Sequence, residues 1–350
     1  MIRKASIGIL VCAALLAAGC VSAPPLRERL DAIPAKHLSS YDFDPASPLT
    51  ERIGNAPEEL LDLYADAEGA PLSVHRLGAS KRAEISAILG ILPERHQKIL
   101  QERLIGIYCV DGFAGSGVAD YVLGPDDEIY AVVILHPRVF SMTAAELIEF
   151  RANSAFRRDD SDNQLEVNLS REVSALAYII LHETTHIVDY VERHTPYVEP
   201  GMLELFGRSA RETPFTDEVW DDYRELRSSI DFPCQSDLRF YCVGDDLPLA
   251  NRQMESVYRS LSTTPLASLY ASFSWAEDFA EYVTFYYLVR VLGMRYEICV
   301  KRNGATVFSW EPMESRAVLR RAALIEPELF QSPDDRHAYS GASEFHVSRM

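Results

Sequence analysis

Apolar side chains occupy nearly every position between Val173 and Val191, and the run is interrupted chiefly by His182-Glu183-Thr184-Thr185-His186. The pattern predicts a helix over 170–192, with Ser170 as cap, Glu172 in its first turn and Pro196 as its stop. Leu176, Ile179, Ile180, Ile187 and Val188 would bury most of its circumference, as in a helix through the middle of a domain. A second helical period covers 274–288, with Ser274 as its cap. Helices are also expected over 57–67, 80–92, 93–104, 143–156, 217–228 and 314–324. The runs 105–110 and 128–136 read as strands, and 296–300 with 306–310 flank Asn303-Gly304 as a hairpin. The fold class is therefore α+β, a small mixed sheet with a mainly helical second half. Residues 20–68, Pro-rich and extended over 24–48, precede a large domain at 69–330 that carries an insertion at 195–265. A loosely ordered tail follows at 331–350. Phe215, Trp220 and Tyr223 would form a small core of the insertion, and the glycine-rich 112–117 a mobile loop.

Two histidines and a glutamate inside an apolar helix are costly to bury without partners. With 3.6 residues per turn, His182 and His186 share a face and can reach one ion, with Glu183 over its open side. This is the spacing that holds zinc through two imidazoles and uses the glutamate as base for a bound water. A third ligand is needed. The positions three and six after His186 are Asp189 and Glu192, which excludes a third histidine there, and His194 lies too far along the axis. In the later helix Glu277 and Glu281 stand at i and i+4. Like charges so placed repel unless a cation lies beside them. We therefore expect Glu277 to be a metal ligand and Glu281 to hold a ligand histidine's free N–H. The bland alternative is a solvated acidic stripe, and Asp278 suggests that part of this helix faces water.

The pair His182-Glu183-x-x-His186 and Glu277-x-x-x-Glu281 resembles the gluzincin metallopeptidases, the group that contains thermolysin and the anthrax lethal factor type. The resemblance covers two short helices, perhaps one eighth of the chain, and implies a zincin-like fold and a peptide or protein substrate. It further implies a supporting carboxylate at Asp189 and an oxyanion-stabilising tyrosine at Tyr270, seven residues before Glu277. In that group an edge strand before the metal helix pairs with extended substrate; here 128–136 is either that edge or a buried core strand. The 91 positions from His186 to Glu277 exceed the thermolysin-like interval and call for the inserted segment. Two other readings are a non-catalytic zincin-fold interaction lipoprotein, which has no use for Glu183, and a peptidoglycan amidase, a class that usually lacks this helix motif.

Arg3 and Lys4, an apolar run from Ile7 to Leu16 and then Ala17-Ala18-Gly19-Cys20 resemble a bacterial lipoprotein signal at 1–19, with Cys20 acylated. The run is too short to span a bilayer. Val21 after the cysteine implies outer-membrane sorting, so the expected location is the cell envelope, lipid-anchored, on the periplasmic or surface face. Four cysteines would remain after processing, and the preferred pairs are Cys234 with Cys242 and Cys109 with Cys299. The net charge of −18 argues against nucleic acid as a partner.

Overall fold

The computed structural model describes residues 26–125, 128–169, 173–196, 213–241 and 247–330. The signal expected at 1–19, Cys20, Ser170, Glu172, Cys242 and the tail at 331–350 lie outside these. The helices are α1 (Leu26–Asp31), α2 (Glu58–Glu68), α3 (Ala79–Gly90), α4 (Glu94–Arg103) and α5 (Ala144–Asn153). There follow α6 (Ala175–Glu192), α7 (Met254–Leu261), α8 (Trp275–Tyr286), α9 (Arg316–Leu319) and α10 (Ala322–Leu329). The architecture is mixed, with small sheets, and is compatible with α+β. No helix among the described residues is long and apolar enough to cross a membrane.

One sheet holds β1 (Ile53–Gly54), β2 (Ser73–Val74), β3 (Leu104–Asp111), β4 (Gly117–Leu123) and β5 (Ile129–Leu135). Its main path runs β1-β3-β5-β4, parallel as far as β5 and antiparallel from β5 to β4, while β2 pairs with the end of β3. The strands read as unbroken apolar runs because both faces are covered. Ile107, Cys109, Val133 and Leu135 face the main core with α6, whereas Tyr108, Val110, Val132 and Ile134 pack against Ala35, Leu60 and Tyr64. The 26–68 stretch is thus one layer of the body, since Leu30 and Ile53 also enter the main core. Residues 24–48 are correspondingly not extended throughout: α1 and two 3₁₀ turns, Pro34–Lys36 and Leu38–Ser40, fall in that stretch.

The 128–136 segment is the core strand β5, flanked on both sides. The outer strand is β4, which starts where the glycine-rich loop at 112–117 ends and for which no strand is expected from the sequence. That loop is anchored, with Phe113 buried edge-on to Tyr64 and Ser116 only 1% exposed. A second sheet joins β6 (Asn163–Leu169), β9 (Tyr296–Arg302) and β10 (Ala305–Trp310) in the order β10-β9-β6. The β9–β10 hairpin turns where expected, with Asn303 and Gly304 both at positive φ.

Four expectations are corrected here. Residues 217–228 form the hairpin β7 (Trp220–Asp222) and β8 (Glu225–Leu226) rather than a helix. Tertiary contacts decide this: buried Trp220 donates Nε1–H to Asp278 at 2.9 Å, and Tyr223 packs edge-on against Trp275. Phe215 likewise meets Phe279 and Tyr282, so these aromatics buttress α8 instead of forming a core of their own. The final helix divides into α9 and α10. Cys109 and Cys299 are free thiols on different sheets, so the bridge expected between them is not formed; Cys234 is also free.

Candidate metal centre

The central helix begins later than its pattern implied. Ser174 caps α6, its hydroxyl accepting Ala177 N–H at 3.1 Å, and every residue from Ala175 to Tyr190 is buried. Arg193 in the left-handed region ends it, its N–H reaching Asp189 O at 2.7 Å. Ser274 caps α8 as expected, accepting from Glu277 N–H at 3.3 Å. The two helices pack directly on each other, and this contact brings together residues 95 positions apart.

At that contact His182 Nε2 lies 3.1 Å and His186 Nε2 3.5 Å from the same oxygen, Glu277 Oε2. One ligand atom from each of His182, His186 and Glu277 lies within 4.8 Å of the others. Glu277 is mostly buried. Burial alone would raise its pKa, but His186 first, and then His182, hold it below the usual carboxylate range. Burial likewise disfavours the His182 imidazolium, yet Glu277 and Glu281 outweigh it and push that pKa up to about 10. The three groups bring their polar atoms together as the ligands of one cation do. Two nitrogens and one carboxylate oxygen are a donor set that suits zinc.

Glu281 is fully buried, and its Oε1 stands 3.0 Å from His182 Nδ1. The N–H is not well aligned on the oxygen, so the contact is chiefly electrostatic. Glu281 is held as an anion by others: Arg151 Nη2 at 2.8 Å and Ser268 Oγ at 2.5 Å on Oε2, and the Tyr178 hydroxyl on Oε1. Burial opposes ionisation, but Arg151 foremost draws its pKa down to about 2. An acceptor locked in this way favours the proton on His182 Nδ1 and leaves Nε2 free for a metal.

Glu183 reaches the outer strand, where Oε2 accepts the Ala119 N–H at 2.7 Å. Its pKa is raised, mainly by burial. Gly117 lies tight against it: a Cβ there would come within 2.6 Å of Ile179 Cγ2 and 2.9 Å of Glu183 Oε1. The Ala119 carbonyl accepts from the Tyr190 hydroxyl at 3.0 Å. Lys36, buried and paired with Asp120, adds a 3.3 Å contact to the Tyr121 carbonyl. Much of the β4 edge is therefore already occupied by side chains of this chain.

Tyr270 also comes to the site, donating its hydroxyl to Glu277 Oε1 at 3.2 Å. Burial, then Glu277, keep it protonated. Its ring is fixed by the Arg151 guanidinium 3.9 Å above the centroid, by Phe273 stacked at 5.8 Å and by Phe240 edge-on at 5.0 Å. Asp189 does not support a histidine. Its carboxylate takes the Thr195 N–H and hydroxyl at 2.7 and 2.6 Å, just past the helix end, while His186 Nδ1 is buried with no partner among the described residues. His194 stacks on Phe279 and pairs with Glu192, away from the centre as expected.

Comparison with protein-family models, curated proteins and solved structures returned no match.

Two parts of the site were missed in the sequence. Arg151 sits on α5, 130 positions before Glu281, and nothing local marks it as more than a helix arginine. Asp278, expected to face water, is fully buried in a fork from Arg321, at 2.9 and 2.7 Å, which anchors α8 from its other side. A buried charge needs a partner, so an acidic residue between Ala276 and Phe279 was itself a signal that a cation would be found.

Proposed function

We propose that this chain is a zinc-dependent metallopeptidase, anchored to the bacterial envelope through its N-terminal segment. The observation that carries the reading is the convergence of His182 Nε2, His186 Nε2 and Glu277 Oε2 on one point, with Glu183 and Tyr270 beside it. His182, His186 and Glu277 would hold the ion. When bound, zinc supplies Lewis acidity, polarising a carbonyl and acidifying a water.

The chain's own groups do the rest. Glu183 is a base whose raised pKa brings it closer to a working pH, so it can take a proton from the attacking water and return it to the leaving amine. One of its oxygens is steadied by Ala119 N–H, which fixes the direction in which the carboxylate presents itself. Tyr270 keeps its proton and so acts as a hydrogen-bond donor to the oxygen that gains charge as the carbonyl is attacked. Arg151 and the two phenylalanines hold that ring in place.

The test is metal content of the purified protein, wild type beside Glu277→Ala, with turnover of a peptide library by wild type and Glu183→Gln. The reading expects about one zinc per chain, weakened by Glu277→Ala. Glu183→Gln should keep the metal and lose roughly 10²–10⁴-fold in rate. A wild type that takes up no zinc on reconstitution refutes it; zinc without turnover of any peptide leaves a non-catalytic envelope protein.

A further inference from the structure

Three non-glycine residues among those described have left-handed backbones: Arg193, Tyr241 and Asn303. Arg193 caps α6 and Asn303 turns the β9–β10 hairpin, so each has a local reason. Tyr241, at φ 57, directly follows no helix or strand among the described residues. A bulky side chain keeps such a conformation only where its surroundings dictate it, and such positions gather at functional sites.

The surroundings of Tyr241 are those of the metal centre. Its N–H donates to Ser154 Oγ at 2.9 Å, which pins the backbone. The half-buried ring leans on Phe150 at 6.3 Å and stands edge-on to Tyr270 at 6.4 Å. Its hydroxyl lies beside Ser116 and within electrostatic reach of Arg151, Glu277 and Glu183. The Ser116 oxygen is buried and not in a well-formed hydrogen bond, and the next residue is Gly117, which abuts Glu183. Tyr270 already gives its hydroxyl to Glu277. Tyr241 therefore brings a second phenol from the inserted segment to the same cluster.

We propose that Tyr241 is a substrate-contacting residue, whose hydroxyl donates a hydrogen bond to the peptide group being cleaved. The proposal rests on the peptidase reading above. It makes the described residues around Tyr241 a wall of the site, and it gives an aromatic residue a reason to stand where glycine would be relaxed.

The test uses the full-length, zinc-loaded protein and a dipeptide phosphonamidate, whose tetrahedral anion imitates the attacked peptide. Tyr241→Phe preserves ring, backbone and packing and removes one oxygen. Calorimetry should show phosphonamidate binding weakened roughly ten- to a hundredfold. Zinc affinity, measured by chelator competition, should stay within about threefold, the range left by a change that touches no ligand. Equal phosphonamidate binding by the two proteins overturns the proposal and leaves the peptidase reading standing. So does a parallel loss of zinc, which would make Tyr241 a support of the metal. A wild type that holds zinc yet binds no phosphonamidate overturns the peptidase reading, and this proposal with it.

Discussion

Replacing Arg151 with methionine keeps most of the side-chain volume and deletes one buried cation. Arg151 is 3% exposed and is bound to Glu281 at 2.8 Å and to the Tyr178 hydroxyl at 2.7 Å. Its removal leaves the fully buried Glu281 carboxylate with Ser268, Tyr178 and His182 but no permanent positive charge. Breaking such a pair from one side costs about 3–5 kcal/mol. For a chain of this size that corresponds to a fall in Tm of roughly 4–7 °C. The pH dependence gives a second reading. Glu281 is drawn down from 4.5 to about 2, so its contribution is present above about pH 4.5 and is lost as pH falls toward 2. In Arg151→Met that acid-side loss should shrink, because the carboxyl no longer has a reason to stay ionised. A protonated Glu281 also stops favouring the proton on His182 Nδ1, so zinc affinity should fall about 10–100-fold. Adding Glu281→Gln should recover at least ~2 kcal/mol, since contacting residues couple on that scale. Urea melts from pH 3 to 8 and chelator competition would measure both effects. A variant that melts within about 2 °C of wild type, with unchanged zinc affinity, refutes the reasoning.

Gly117→Ala should destabilise by about 1–3 kcal/mol, because its methyl would meet Ile179 and Glu183 below contact distance. It should slow peptide turnover more than it changes zinc content; a variant with wild-type rate and stability would show that the strand yields freely. In metal-free protein His182 is raised to about 10, so its contribution to stability is complete below about pH 6.5 and lost as pH rises through 10. Zinc binding at pH 8 should then release about one proton, read by calorimetry in two buffers of different ionisation enthalpy, and a count near zero contradicts it. Arg321→Met should cost about 3–5 kcal/mol by stranding Asp278, with zinc affinity falling in step as α8 loosens. Retained stability would mean that Trp220 alone satisfies that carboxylate.

Features set by neighbours a few residues apart were legible in the linear chain. Helical spacing put His182 and His186 on one face, Ser274 capped α8, and Asn303-Gly304 turned a hairpin, because each depends on neighbours a few residues away. The i, i+4 pair Glu277 and Glu281 was legible for the same reason, and the structure places each against His182. What lay beyond local rules was decided in three dimensions. The 217–228 segment carries a helical period yet forms a hairpin, because Trp220 and Tyr223 are bound by α8. Asp189 matched a pattern of spacing but is spent on Thr195, a partner six residues on whose approach depends on how the helix ends. Cys109 and Cys299 could be paired on paper, and the two sheets separate them. Arg151, Arg321 and Tyr241 carry no local signal, since their meaning comes from charges and rings brought up from distant elements. Period and capping are properties of a short window of chain, whereas the partner of a buried charge is chosen by packing, and only the folded chain specifies it.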